Sequence, residues 1–284
     1  LGSVLGRDRI QYKSAEQMRH MRRAGLVVAD ALDAVLAALR VGVATKELDA
    51  LAYDVIRSAS ATPSFLDYGN PPYPATTCIS VNDEVVHGIP GGRVLEAGDV
   101  VSVDCGAVLD GWHGDAAFTA VVPADGQVSS EAGASADREL SEQTRQALWR
   151  GIGAVEVGQR LNAIGAAVEE HVAGRYGLVE EYGGHGIGTE MHQDPHVLNY
   201  RVRNAGRRMR PGLCLAIEPM LTRGDAATRV LGDHWTVATV DGSHAAHWEH
   251  TVALHERGLW VLTARDGGEA GLAELGIEFA PLGD

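Results

Sequence analysis

Val100-Val-Ser-Val-Asp104-Cys-Gly-Ala-Val-Leu-Asp110-Gly111-Trp-His113-Gly-Asp115 is the stretch on which the fold turns. Asp-Gly favours a two-residue hairpin loop because both positions tolerate positive φ. With Asp110 and Gly111 at the tip, Asp115 faces Gly106. Asp104 then lies two positions further along on the same side of the sheet, because strand side chains alternate faces. The two carboxylates converge diagonally. Like charges so placed repel, and each resists burial; a hard divalent cation removes that conflict. The alternative is a pair of exposed polar residues beside a turn, although Asp104 closes the largely apolar run 100–103. His113 shares the face nearer the tip and reads as structural or exposed.

Outward from the hairpin, helices precede strands twice. Ser14-Ala-Glu-Gln17 has the form of a capping box, and Val28, Leu32, Val35, Leu36 and Leu39 recur at helical spacing. Gly42 stops that helix. Thr45 reads as the next N-cap, before the stripe Leu48, Leu51, Ala52, Val55 and Ile56. A loop rich in Pro, Gly and Tyr spans Pro63 to Pro74, and strands are expected at 77–81, 100–107 and 116–122. Residues 123–136 are small and polar and read as a connector. Helices are expected near 138–151 and 158–174, then strands at 213–221, 234–240, 247–254 and 259–262. This order argues for the α+β class, helices packed on an antiparallel sheet.

Composition bounds the function. The chain has 284 residues, 45% hydrophobic and 22% charged, as in soluble globular proteins. No apolar run has the length of a membrane span, and the N-terminus lacks the pattern of a signal peptide. Cys78, Cys105 and Cys214 are odd in number, far apart and in no CxxC pair, which reads as reduced thiols in the cytoplasm. A formal net charge of −14 argues against general nucleic-acid binding, DNA included. The segment Arg7 to Arg23 is locally basic, with Arg7, Arg9, Lys13, Arg19, Arg22 and Arg23. It reads as a solvated helix face; the alternative is a transient contact with RNA such as the ribosome surface.

Three further clusters carry chemistry. Gly183-Gly-His185-Gly-Ile-Gly188 lets a ligand approach the backbone around a histidine, with His192 and His196 shortly after. Leu213-Cys-Leu-Ala-Ile-Glu218-Pro-Met and His247-Trp-Glu249-His250-Thr-Val each place a glutamate beside an apolar strand. Either glutamate alone reads as a strand end reaching solvent. Together, Asp104, Asp115, His185, Glu218 and Glu249 suit two divalent metals bridged by carboxylates and a water.

At this point the chain resembles the type I methionine aminopeptidases of metallopeptidase family M24, the pita-bread fold, from about Ser14 to Leu262. The resemblance rests on Val86-His87-Gly-Ile-Pro90, Ser102-Val-Asp104-Cys-Gly, Gly114-Asp115, Gly183-Gly-His185-Gly-Ile-Gly188, Ala216-Ile-Glu218-Pro-Met220 and Trp248-Glu249-His250-Thr, in the family's order. It implies a curved antiparallel sheet covered by helices, pseudo-two-fold symmetric. It divides the chain into an arm (1–13), a catalytic domain (14–264) and a tail (265–284). It implies that Asp104, Asp115, His185, Glu218 and Glu249 hold two divalent ions per chain, of Co, Mn, Fe, Zn or Ni, with Asp115 and Glu249 bridging. His87 and His192 stand where the family contacts substrate. Tyr68, Tyr73, Cys78, Met191 and Trp235 fall near the positions lining the methionine pocket. Two departures bear on that pocket. Tyr68-Gly-Asn-Pro-Pro-Tyr73-Pro is two residues longer than the family's Tyr-His-Gly-Tyr-Pro and lacks its histidine, and Met191 stands where an aromatic is common. For Met191 and Trp235 the alternative is ordinary core.

The implied reaction is removal of the N-terminal methionine from nascent polypeptides with a small second residue. A hydroxide bridging the two metals would attack the scissile carbonyl. His192 would donate to the oxyanion, and Glu218 would take the water's proton and pass it to the leaving amine. His87 would contact the peptide near the scissile bond. A monomer is expected. Proline-specific peptidases of the same fold usually carry a large extra N-terminal domain, against the short arm before Ser14. Type II methionine aminopeptidases carry a helical insertion for which the stretch from His185 to Glu218 leaves no room. A metal-free binding relative would have lost ligands that are present here.

Overall fold

Strands Val100–Leu109 and Trp112–Val121 form the hairpin that their turn dictates. Gly106 lies opposite Asp115 and Asp104 opposite Ala117, and both turn residues, Asp110 and Gly111, take positive φ. The computed structural model describes residues 10–123 and 131–283. Along them run α1 (Ala15–Ala38), α2 (Thr45–Ser58), β1 (Thr62–Pro63), β2 (Thr77–Val81), β3 (Glu84–Val86), β4 (Val100–Leu109), β5 (Trp112–Val121), α3 (Glu131–Gly153), α4 (Ala163–Val172), β6 (Gly177–Leu178), β7 (Gly184–Gly186), β8 (Gln193–Val197), β9 (Leu213–Ile217), β10 (Met220–Thr222), β11 (Thr228–Val230), β12 (Val237–Thr239), β13 (Ala245–His247), β14 (Glu249–His255), β15 (Gly258–Val261) and α5 (Glu269–Ala273).

One antiparallel sheet of nine strands forms the centre. Its order is β1-β4-β5-β14-β9-β7-β8, with β2 also on β4 and β15 also on β14. Each half of the chain brings two helices to it. α1 packs on α2, β4 and β5, while α3 packs on α4 and reaches β9 and β14. Two apolar cores follow. The first holds Val28, Val35, Ile56, Val101 and Phe118; the second holds Leu148, Ile164, Leu215 and Val252. Trp248 packs against both.

Local chemistry explains α1. The Ser14 hydroxyl accepts the Gln17 N–H, and the Gln17 amide oxygen accepts the Ser14 N–H. Its buried stripe, Met18, Met21, Ala24, Val28, Leu32 and Val35, faces the sheet. Gly114 sits so close beneath this helix that a Cβ there would strike the backbone of Gly25. The helix therefore rests directly on β5 beside Asp115.

Several boundaries differ from expectation for physical reasons. α2 is capped one residue earlier, at Ala44, whose N–H donates to the Glu47 carboxylate; the Thr45 hydroxyl is instead paired with Gly91. α3 begins at Glu131, inside the stretch read as a connector; residues 124–130 of that stretch lie outside the described residues. The helix expected at 158–174 is confined to Ala163–Val172. The strand expected at 213–221 splits at Glu218-Pro219, because proline has no N–H for the ladder.

The basic segment is also corrected, Arg7 and Arg9 lying outside the described residues. Lys13 and Arg22 are buried. Arg22 donates to the carbonyls of Val261, Leu262, Ala264 and Arg265. Arg19 donates to those of Leu282 and Gly283, and Arg23 pairs with Asp110 at 3.3 Å. Arg19 and Arg22 fasten the C-terminal segment to α1 and Arg23 the hairpin tip, so Lys13 and Arg22 leave the expected solvated face while Arg23 stays on it, exposed. Residues beyond 264 pack down: Leu272 is buried, and Ile277 and Phe279 lie against the second core. Among the described residues no helix is long and apolar enough to cross a membrane.

Candidate metal centre

The sheet order carries side chains from separate parts of the chain to one place. Asp104 stands on β4, Asp115 on β5, Glu249 at the start of β14, Glu218 just past the end of β9 and His185 on β7, and these five strands are consecutive neighbours. Glu249 lies opposite Ala117, and His185 opposite Ala216. Thr251 locks β5 to β14: its hydroxyl donates to the Asp115 carbonyl at 2.8 Å and accepts the Asp115 N–H at 3.0 Å. The glycines around His185 have a steric reason. A Cβ on Gly184 would collide with the Ala216 carbonyl, and one on Gly186 with the Asp194 carbonyl. Glycine lets β7 lie close to both neighbours.

The five side chains meet at one end of a cavity of about 220 Å³. Asp115, His185 and Glu249 are buried. Burial, then the charges of Asp104 and Glu218, pushes Asp115 well above the ordinary carboxylate range. Glu249 is pushed up by burial and then by Asp115, and Glu218 by burial and then by Asp104. Burial also raises Asp104, to about 7, against hydrogen bonds from Asp115 and the Cys105 N–H. Four carboxyl groups crowded this way cannot all ionise without a compensating positive charge.

The histidines are of the opposite kind. Burial lowers His185 to about 3 and His87 to about 4, each helped by the neighbouring His192, and it lowers His192 as well. Neutral imidazoles offer lone pairs. The His185 Nδ1 lies 3.0 Å from the Gly186 carbonyl, which can only accept, so Nδ1 carries the proton. Nε2 is left free to coordinate, 3.6 Å from Glu218 Oε1.

The other end of the cavity is apolar. Phe65, Tyr73, Ala75, Cys78 and Met191 form a buried cluster with Ile89 and Trp235 against it. The Tyr73 hydroxyl donates to the carbonyls of Thr77 and Gly88, so its ring alone faces the cavity. Trp235 stands edge-on to Tyr73 and to His87. Tyr68 and His192 share a hydrogen bond of 2.6 Å between the hydroxyl and Nδ1. His87 takes positive φ, 59°, a strained setting that persists where neighbours hold it. His113 stays apart from the cluster, paired with Ser64 at 3.0 Å.

Residues 19–256 match the model of Metallopeptidase family M24. The chain belongs to metallopeptidase family M24. Within M24 it belongs with the methionine aminopeptidases. It is 50% identical over 271 residues to methionine aminopeptidase 1 of Mycobacterium tuberculosis (strain CDC 1551 / Oshkosh), covering 93% of this chain and 98% of that one. The crystal structure of methionine aminopeptidase from Rickettsia prowazekii superposes with a TM-score of 0.84 at 32% identity, over 90% of this chain and 100% of that chain. Prolidase from Pyrococcus furiosus shares the fold alone, with a TM-score of 0.68 at 20% identity. The pita-bread architecture follows.

An M24 metallopeptidase uses divalent metal, and the donor set of this member fits one. Asp104 Oδ1, Asp115 Oδ1, Glu249 Oε1 and His247 Nε2 are buried with no hydrogen-bond partner. Two groups bring their ligating atoms within 4.8 Å of one another: Asp115, His185 and Glu249, and Glu218, His247 and Glu249. Buried lone pairs converging without a donor suit an oxygen-seeking cation.

Of the residues named in the sequence, His87, His192, Tyr68, Tyr73, Cys78, Met191 and Trp235 line this cavity with the five ligand candidates, whereas His113 and His196 do not. Sequence reasoning missed Phe65, Tyr182, Met220 and His247. The first three carry no local signal, since only tertiary packing turns them toward the cavity. His247 did carry one: it stands two positions before Glu249, the spacing that puts extended side chains on one side.

Proposed function

We propose that this cavity is the active site of a metal-dependent aminopeptidase that removes the N-terminal methionine from polypeptides with a small second residue. The observation behind the reading is an apolar cavity ending in buried, unpartnered carboxylates. Asp104, Asp115, His185, Glu218 and Glu249 would hold two divalent cations, drawn from Co, Mn, Fe, Zn and Ni. When bound, these supply Lewis acidity to the scissile carbonyl and lower the pKa of the attacking water.

The chain's own residues do the rest. The methionine side chain enters the wall of Phe65, Tyr73, Cys78, Met191 and Trp235, where thioether and aromatic surfaces match. The free α-amino group meets the carboxylates, so a chain with a blocked terminus is refused. Tyr68 donates its hydroxyl proton to His192 Nδ1, which leaves the ring proton on Nε2 as a donor for the developing oxyanion. Glu218 accepts the proton of the attacking water and passes it to the leaving amine. His87 contacts the peptide beside the scissile bond. The substrates are nascent chains in the cytoplasm, a setting in keeping with three free, buried cysteines.

A panel of three peptides tests the reading: Met-Ala-Ser, its acetylated copy and an Xaa-Pro peptide. Free methionine from the first alone is expected. Cleavage of the Xaa-Pro peptide in its place would assign the site to the proline-specific branch.

A further inference from the structure

His247 brings a ligating atom close to those of Glu218 and Glu249 but has no place in the ligand set inferred above. Its side chain is buried, and its Nε2 has no hydrogen-bond partner. That atom stands 3.7 Å from Glu218 Oε2 and 3.9 Å from Glu249 Oε2. Both separations are too long for hydrogen bonds, whose donors and acceptors lie about 2.7–3.2 Å apart. They suit two donors around one cation: with metal–ligand distances of about 2.1 Å, ligands at tetrahedral to opposed angles lie roughly 3.4–4.2 Å apart. The His185 to Glu218 separation of 3.6 Å falls in the same range.

The backbone fixes this aim. His247 donates its N–H to Thr119 Oγ at 2.9 Å, and that hydroxyl donates to the His247 carbonyl at 2.7 Å. β13 pairs with β10 so that His247 lies opposite Met220, two residues beyond Glu218. Trp248, anchored by its Nε1–H on Ser141, separates His247 from Glu249 and turns to the other side. Alternation therefore sends His247 and Glu249 to one point from one short segment.

We infer that His247 is a nitrogen ligand of the metal centre, forming with Glu218 and Glu249 a second three-donor set that shares Glu249 with the set of Asp115, His185 and Glu249. The inference rests on the reading of this cavity as a metal site. A second imidazole makes the centre less oxygen-rich, which favours Zn, Co, Ni and Fe over Mn.

The test uses the whole chain stripped of metal, in wild-type and His247→Gln forms, titrated with Co²⁺ by calorimetry and by visible absorption. His247→Gln is expected to weaken binding of one ion by about 10–100-fold, to alter the Co²⁺ spectrum and to narrow the preference for Zn²⁺ over Mn²⁺. The metal-free melting temperature should stay near wild type. A second measurement guards against a folding defect: pulsed EPR of Mn²⁺ bound to His185→Ala, where a surviving imidazole nitrogen signal is expected from His247. Unchanged Co²⁺ affinity and spectrum in His247→Gln, or no nitrogen signal in His185→Ala, would overturn the assignment and leave the aminopeptidase reading standing. Failure of the wild-type chain to bind any divalent ion would overturn both.

Discussion

Asp104 and Glu249 are the residues whose loss separates a metal-dependent site from an apolar pocket. Replacing either with alanine removes an anionic donor from the buried cluster, and turnover should fall by at least about a thousandfold. Release of methionine from Met-Ala-Ser by either variant at near wild-type rate would remove these carboxylates from the mechanism. Tyr68 acts one step further away. It touches His192 Nδ1, so Tyr68→Phe frees the ring to adopt the wrong tautomer, and kcat should drop about tenfold with KM little changed. A rise in KM with kcat unchanged would mean that Tyr68 only shapes the pocket. These positions were readable at different depths. The four carboxylates among the ligand candidates carry the signal of acid beside apolar strand, and His185 that of a histidine framed by glycines. Phe65 and Met220 look like any core residue until the sheet curls. His247 was quoted with Glu249, and the even spacing of the two was the clue left unused.

At the scale of elements, the glycines around His185 are structural necessities of the β7 strand. Gly184→Ala would drive a Cβ into the Ala216 carbonyl and push β7 from β9. A loss of about 2–3 kcal/mol in urea unfolding is expected, with weaker metal binding. An unchanged urea midpoint would show that β7 has room to shift. The hairpin of β4 and β5 was legible because Asp110-Gly111 admits one register, and that register decides which faces Asp104 and Asp115 share. The ends of other elements were less legible. Pro219 cuts one expected strand in two because it lacks an N–H, and Glu218 gains its place at the strand end from that cut. α3 starts inside a polar stretch whose composition looked like a loop, since a helix on a surface tolerates small polar residues when its later turns are buried.

For the whole molecule, the two cores, the continuous sheet and Trp248 between them make one cooperative unit. The C-terminal segment belongs to it through Arg22, whose guanidinium serves four carbonyls. In sequence Arg22 is indistinguishable from its neighbours Arg19 and Arg23, because only the returning chain shows which arginine is enclosed. Arg22→Met keeps much of the volume but strands buried acceptors. It should cost about 2–3 kcal/mol and lower the melting temperature by about 5–10 °C. A melting curve that overlays the wild type would place the C-terminal segment outside the cooperative fold.

Buried carboxylates and imidazoles that hold the metal for cleaving methionine from a free N-terminus should make activity depend on bound ions. The most direct test titrates the metal-stripped chain with Co²⁺ or Mn²⁺ while following free methionine released from Met-Ala-Ser. No release is expected without metal, and activity should rise to a plateau once about two ions per chain are bound. Methionine release by the stripped chain that metal leaves unchanged would contradict that dependence.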